Sequence, residues 1–454
     1  MWKKKDSTPL RSEKQFQPAQ VLAVSFLLTI LVGALLLLLP WSTTSGRISV
    51  VDALFTSTSA VCVTGLTVLD TSTSFTLFGQ VILLILFQLG GLGIMTFSTM
   101  VLLAAGRKIS LTERIVVQEG FHPGFPQDIK ALIKNILFFT ISIELIGFVL
   151  LFLRFLKVHA WPRALFSGLF HAVSAFCNAG FSVFSNSLMD YRGDILVNLT
   201  VISLIVLGGL GFLVIRDTGG CLLRVCRGTK AHLSLHSKVV LSVSGVLVGG
   251  AFLFFLMLEW NRGLAPLPLK EKILGSLFQV VTPRTAGFNT IDLATLGPAT
   301  ILLLLLLMFI GASPGSTGGG VKTSTFGVLL AFLRARVKAR DSVHLFFRTI
   351  PQENVTRAFT IILLSLSLIF ISSLVILIQQ PETVMRNAVF EVFSAFGTVG
   401  LSLGLTPHLD ALSKIVIVLT MYAGRVGPLT LLYAFSRRKA LGKYDFVEER
   451  VMIG

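Results

Sequence analysis

Four stretches of the sequence read alike: SAVCVTGLTV (59–68), SAFCNAGFSV (174–183), VTPRTAGFNT (281–290) and SAFGTVGLSL (394–403). Aligned on Gly65, Gly180, Gly287 and Gly400, they recur about every 110 residues, a spacing that marks internal repetition. Phe55, Phe170 and Phe390 stand at a common offset before three of these glycines, and the third copy has Leu277 there with Phe278 beside it. Long apolar runs flank each copy. The repeating unit is therefore span, short apolar helix, Gly-centred loop, span, and four units use up nearly the whole chain.

Composition sets the solvent in which this unit works. Of 454 residues, 53% are hydrophobic and 13% charged, and the mean hydropathy is +0.83. Soluble domains carry about 25% charged residues, so a multidomain soluble enzyme is excluded. A bilayer crossing takes about 20 apolar residues. Runs that qualify lie near 19–40, 75–104, 131–155, 194–215, 239–260, 299–333, 358–378 and 412–435. A net charge of +17 would suggest nucleic acid as a partner if a solvent-facing domain carried it. Hardly any chain remains to build one, so the partner implied is the lipid bilayer and no nucleic acid.

The basic residues instead give sidedness. Most of the 39 Lys and Arg fall in the N-terminal tail (Lys3, Lys4, Lys5), after the second span (Arg107, Lys108), after the fourth (Arg224, Arg227), after the sixth (Arg334, Arg336) and in the C-terminal tail (Arg437, Arg438). Positive loops stay inside, which makes that face, and both termini, cytoplasmic. Trp41, Trp161 and Trp260 then fall at the outer ends of spans 1, 3 and 5, where interfacial aromatics gather. Cys62, Cys177, Cys221 and Cys226 show no metal-ligand spacing and read as small apolar residues in a reduced or buried setting.

The expected fold is an all-α membrane protein. It has four tandem span–re-entrant pore loop–span repeats, giving eight spans and four pore helices around one central pore. The boundaries are 1–18 (cytoplasmic tail), 19–106, 128–216, 237–335 with a broken second span, 355–436, and 437–454 (cytoplasmic tail). Backbone outside a helix is tolerated at membrane depth only where it lines a cavity or is buried in protein. Four half-crossing loops thus belong around a shared axis, where freed carbonyls can replace the hydration shell of a cation. The candidate filter is Val63, Thr64 and Gly65; Asn178, Ala179 and Gly180; Thr285, Ala286 and Gly287; Thr398, Val399 and Gly400. The short helices before the loops would aim their partially negative C-terminal ends at the axis. The alternative is that these are packing glycines at helix–helix contacts.

The second spans echo one another too, with LGGLGIM (89–95), LGGLGFL (207–213), IGASPGS (310–316) and YAGRVGP (422–428). A dinucleotide fingerprint would need a strand before and a helix after these glycines in a soluble unit, so close packing or pore lining is the reading. Span 6 is the anomaly. Residues 299–333 are too long for one crossing, and GASPGSTGGGVKTST (311–325) is too small and polar to face lipid. It belongs within the pore below the filter, or else forms an interfacial loop. Ser313 in GASPG is a distant candidate for an intramembrane serine hydrolase, which would require a nearby His base. Arg425 interrupts span 8, as a functional cation or as a residue snorkelling to the interface. Glu144, within span 3, needs a partner, with Lys322 or Arg425 as candidates.

On these residues the chain resembles the Ktr/Trk/HKT superfamily of potassium transporters over roughly 15–440. VCVTGLTV, NAGFS, VTPRTAGFN and SAFGTVGL are similar to the Ktr-type ion-conducting subunits. The resemblance implies a K⁺ uptake subunit that is not an enzyme, with K⁺ held by backbone carbonyls around Gly65, Gly180, Gly287 and Gly400. Some plant members have Ser in the first loop, whereas this chain has Gly65, which resembles the potassium-selective pattern. Only the fourth copy reads T-V-G, and a Na⁺-permeable or non-selective pore is the nearer alternative. It implies a gate made of Gly311, Ala312, Ser313, Pro314, Gly315, Ser316, Thr317, Gly318, Gly319, Gly320 and Lys322 within 311–323, together with Arg425. It also implies a homodimer in the bacterial cell membrane and a cytoplasmic RCK-type regulatory ring. That ring, not this chain, would bind ATP or ADP, and Na⁺ is a possible activator.

Overall fold

The computed structural model describes residues 18–93, 129–230 and 232–435. Both expected cytoplasmic tails, the end of the first repeat (94–106) and the basic loop beyond it lie outside these residues. Four long apolar helices begin the four repeats: α1 (Pro18–Leu37), α4 (Ile129–Phe155), α8 (Leu235–Glu259) and α12 (Gln352–Gln379). Among the described residues they are the helices long and apolar enough to cross a membrane alone. Leu28 and Val32 of α1, Phe138 and Ile146 of α4, Phe254 and Met257 of α8, and Leu363 and Phe370 of α12 are exposed. A helix with that much outward apolar surface is stable against lipid rather than water.

Inside them lie four short helices, α2 (Val50–Val61), α5 (Trp161–Cys177), α9 (Leu269–Val281) and α13 (Met385–Gly397). Their lengths are too short to cross, and their sequences are amphipathic where the long helices are apolar all round. Phe55, Phe170, Phe278 and Phe390 of these helices are buried, and in the third copy it is Phe278 rather than Leu277 that turns inward. Trp41, Trp161 and Trp260 are all exposed, as residues of an interfacial belt must be. Each short helix is followed by its Gly-centred loop and then by a second long segment. Asp194, Asp410 and Thr76 start three of these segments by accepting from Val197 N, Ser413 N and Gly79 N, which satisfies free donors of the first turn.

The second segments depart from the expected continuous spans. In the second repeat, α6 (Ile195–Leu210) bends by 104° into α7 (Phe212–Cys226), and in the fourth, α14 (Ala411–Val426) bends by 92° into α15 (Pro428–Phe435). In the first, α3 (Leu77–Leu92) stops at Gly93. Gly93, Gly211 and Gly427 share one conformation, φ/ψ of 79°/123°, 86°/145° and 94°/131°. Residues with a Cβ rarely adopt that region, so a single glycine suffices to end each of these three helices. The sequence reading placed a break in the third repeat alone. There α10 (Pro298–Phe309) and α11 (Thr323–Val337) are separated by the whole of 310–322. A small hairpin, β1 (His344–Leu345) with β2 (Arg348–Thr349), connects α11 to α12.

Ion pairs tie neighbouring repeats together. Lys414 of α14 meets Asp52 of α2 at 2.7 Å, linking the fourth repeat to the first, and Arg192 meets Glu271 of α9 at 2.7 Å, linking the second to the third. Asp52 and Glu271 both lie in the first turn of a short helix, the end that favours a carboxylate. Glu144 finds neither cation proposed for it. It accepts from Gln88 Nε2 at 3.2 Å, with Cys177 Sγ at 3.9 Å, while Lys322 and Arg425 are engaged elsewhere. Among the cysteines, Cys62 and Cys177 are buried as expected, but Cys226 is exposed.

Candidate functional site

The four aligned glycines meet. A Cβ built on Gly65 would overlap Ala179 O, one on Gly180 would overlap Ala286 O, one on Gly287 would overlap Val399 O, and one on Gly400 would overlap Thr64 O. Each loop thus abuts the next repeat's loop, and the fourth closes on the first. The order around the axis is the order in the chain. No side chain larger than hydrogen fits at any of the four positions, because in each case the obstacle is backbone.

All four loops share one backbone pattern. The glycines have φ of 88°, 70°, 80° and 92°, and two residues earlier Val63, Asn178, Thr285 and Thr398 also have positive φ, at 57°, 60°, 80° and 50°. In an extended chain successive carbonyls point to opposite sides, and alternating the sign of φ brings them to one side. Holding non-glycine residues there costs of order 1–2 kcal/mol each, so the surroundings must enforce it. They do so through the preceding helix: Thr64 N, Ala179 N and Val399 N donate to Ser59 O, Ser174 O and Ser394 O at 2.7, 2.7 and 2.8 Å. The hydroxyls of Ser59 and Ser394 accept from Gly65 N and Gly400 N at 3.0 and 3.1 Å. Asn178 reaches the Thr285 hydroxyl at 3.0 Å. In the orientation that satisfies both ends of its amide, its nitrogen donates to Ala175 O and Ile205 O.

The second segments press on the same ring. Gly90, Gly208 and Gly424 leave no room for a Cβ against Val61 O, Phe176 O and Phe396 O, which end the short helices of their own repeats. The glycine clusters of the second spans are therefore close-packing positions.

The 310–322 segment fills the space beneath the ring. Gly318 lies against the Thr285 hydroxyl, and Gly319 N donates to Thr398 Oγ1 at 2.9 Å. Ser313 N and Thr317 N donate to Gly209 O and Gly208 O at 3.0 and 3.2 Å, Phe212 N donates to Gly315 O at 3.3 Å, and Gly320 N donates to Gly424 O at 3.2 Å. Arg425 donates through one guanidinium nitrogen to Thr317 O and through another to Gly90 O. The loop of the third repeat is thereby strapped to the second segments of the second and fourth repeats, and through Arg425 to that of the first. Lys322 turns back into it, with Nζ donating to Gly318 O at 2.6 Å. The Ser313 hydroxyl accepts from Thr323 Oγ1 at 3.0 Å rather than serving a histidine base.

Residues 1–444 match the family model described as TrkH, a cation transport protein. The chain belongs to this family. It is 43% identical over 426 residues to the Ktr system potassium uptake protein B of Bacillus subtilis, covering 93% of this chain and 94% of that one. It is 40% identical over 451 residues to the potassium/sodium uptake protein NtpJ of Enterococcus hirae, covering 98% and 99%. The crystal structure of the potassium transporter TrkH from Vibrio parahaemolyticus shares the fold, with a TM-score of 0.73 at 20% identity, covering 94% of this chain and 86% of that one. The chain is accordingly a multi-pass membrane transport protein and not an enzyme.

Proposed function

We propose that this chain is the ion-translocating membrane subunit of a bacterial potassium uptake system of the Ktr kind. The observation that carries the reading is the closed ring of four glycines, each seated on the carbonyl of the next repeat. Carbonyls of 63–65, 178–180, 285–287 and 398–400 replace the hydration shell of K⁺ as it passes. The C-terminal ends of four short helices around the ring favour a cation and oppose an anion. In this reading the chain has eight spans, those that end the second, third and fourth repeats being broken, with both termini in the cytoplasm and the cell membrane as its location.

In this reading the 311–323 loop with Arg425 is the gate. A cation about 4 Å from the guanidinium meets about 4 kcal/mol of repulsion at an effective dielectric of about 20, which lowers its occupancy about a thousandfold. Opening then requires the loop and Arg425 to move from the axis. A cytoplasmic ring that binds ATP or ADP supplies that displacement, and the membrane subunit works as a homodimer. The word "system" in the name of the Bacillus subtilis relative supports a partner subunit.

The deciding test is flux in reconstituted vesicles, Rb⁺ standing for K⁺ against Na⁺, alongside growth of a potassium-uptake-deficient bacterium on low potassium with and without a co-expressed regulatory subunit. Rb⁺ flux well above Na⁺ flux, with rescue strengthened by the regulator, is expected. Comparable Rb⁺ and Na⁺ fluxes would favour the second reading, a sodium-permeable pore, which the name of the Enterococcus hirae relative supports. Vesicles that pass neither ion even with the regulatory subunit and its nucleotide present would end both.

A further inference from the structure

Three of the four short helices carry a buried polar side chain at the same place, and in two of them it is hydrogen-bonded. His171 of α5 and Glu391 of α13 each stand nine residues before a ring glycine (171 to 180, 391 to 400), and both are wholly buried. His171 Nδ1 lies 2.7 Å from Ser167 O, which only accepts. Nδ1 therefore carries the proton, and Nε2 accepts from the Ser182 hydroxyl at 2.9 Å. Glu391 Oε1 accepts from the Ser402 hydroxyl, from Leu403 N at 3.2 Å and from Leu405 N at 3.3 Å, while its Oε2 accepts from Thr406 Oγ1 at 2.7 Å.

Ser182 and Ser402 are themselves equivalent, each two residues beyond its ring glycine (180 to 182, 400 to 402). Each hydroxyl also accepts from the N–H two residues further on, Phe184 N at 3.0 Å and Gly404 N at 2.9 Å. One clasp is thus built twice, once on an imidazole and once on a carboxylate. It joins the short helix to the segment that leaves the ring on its outer side.

The other two repeats lack it. At the equivalent place the third has Phe278, and the first has Thr56, whose buried hydroxyl has no hydrogen-bond partner among the described residues. The third repeat shows that a short helix forms and packs with an apolar residue here. Stability does not demand the polar one, and burying a carboxylate is unfavourable unless donors surround it. Because the ring runs in chain order, the two clasped repeats face each other across the axis.

We propose that His171 and Glu391 are positioning residues for ion selection. They fix the outer half of the second and fourth loops so that the carbonyl ring resists collapse onto a smaller ion along that diagonal, and discrimination of K⁺ from Na⁺ rests chiefly there. The proposal depends on the ring being the selectivity filter.

The test uses the full-length chain in vesicles, reading the Rb⁺/Na⁺ flux ratio and the KM for Rb⁺ at matched membrane abundance. His171→Phe, which copies the third repeat, and Glu391→Leu should each lower the ratio about tenfold, as expected when a buried hydrogen-bond acceptor is lost. Glu391→Gln keeps an acceptor oxygen and should restore most of it, which a packing role alone would not require. Thr56→Val should leave the ratio unchanged. If Glu391→Leu does not reach the membrane, Ser402→Ala and Ser182→Ala, which remove only the clasp hydroxyls, decide in its place. Unchanged ratio and KM in the clasp variants, or an equal drop in Thr56→Val, would overturn the proposal. The unmodified chain separates the two levels. If it passes Rb⁺ well above Na⁺ and the clasp variants match it, only the positioning role fails. If it does not select Rb⁺ over Na⁺, the filter reading fails as well.

Discussion

A single hydrogen atom separates tolerated from untolerated side chains at several glycines in this fold. Gly424 of α14 rests on Phe396 O, and a methyl group there has to push backbone against backbone. Gly249 of α8 has nothing within reach of a Cβ. Overpacking costs about 1–3 kcal/mol, so Gly424→Ala should lower the melting temperature of the detergent-solubilised protein and reduce its yield. Gly249→Ala should raise that temperature slightly, since glycine within a helix is about 0.5–1 kcal/mol worse than alanine. Equal melting temperatures for the two variants would contradict the contact. At this scale the sequence was readable where chemistry repeated. Gly65, Gly180, Gly287 and Gly400 announced themselves through four similar settings. His171 and Glu391 did not, because two different residue types fill equivalent positions and the other two repeats hold Thr56 and Phe278. Their common offset becomes visible only after their shared serine partners are seen.

Among elements, the informative comparison is between the third break and the others. A run of glycine, serine and proline at 311–320 advertises itself in an apolar background. Gly211 and Gly427 each sit beside other glycines that serve for close packing, Gly208 and Gly209 in the one case and Gly424 in the other, and nothing in composition reports which of them has a positive φ. The bends at these residues were therefore illegible although their physical cause is a single residue each. The loop that is legible makes the most contacts beneath the ring. Removing Arg425 deletes its donations to Thr317 O and Gly90 O together with the charge proposed to oppose the ion. Arg425→Ala should raise Rb⁺ flux without a regulator about tenfold, equivalent to about 1.4 kcal/mol or a third of the full repulsion at about 4 Å. Shortening 313–319 should do the same and weaken dependence on the regulator. Flux and regulation that both stay at wild-type levels would remove the loop from the gate.

The whole molecule makes a topological prediction that needs no engineered residue. Cys226 is exposed at the end of α7, while Cys62 and Cys177 are buried. In the proposed orientation the basic residues around Cys226 lie on the cytoplasmic side. A membrane-impermeant maleimide should leave the chain unlabelled in intact cells and label it in inside-out vesicles, with Cys226→Ser abolishing most of the signal. Labelling from outside would invert the assigned orientation. Hydropathy carried the helical membrane class well, since bilayer thickness acts on whole segments rather than on single contacts. It could not report that the repeats follow one another around the axis, a matter of packing between segments far apart in the chain.

That circular order has a consequence for how such a molecule can change over generations. Where four identical chains surround an axis, one altered codon alters all four corners together, and an intermediate with one changed corner is never inherited. Here every corner has its own codons. The third repeat could trade a simple bend for a long inserted loop, and the second and fourth could acquire different partners for the same serine, while the remaining corners held their shape. Departure from symmetry in this ring is open to change by single steps, each exposed to selection alone.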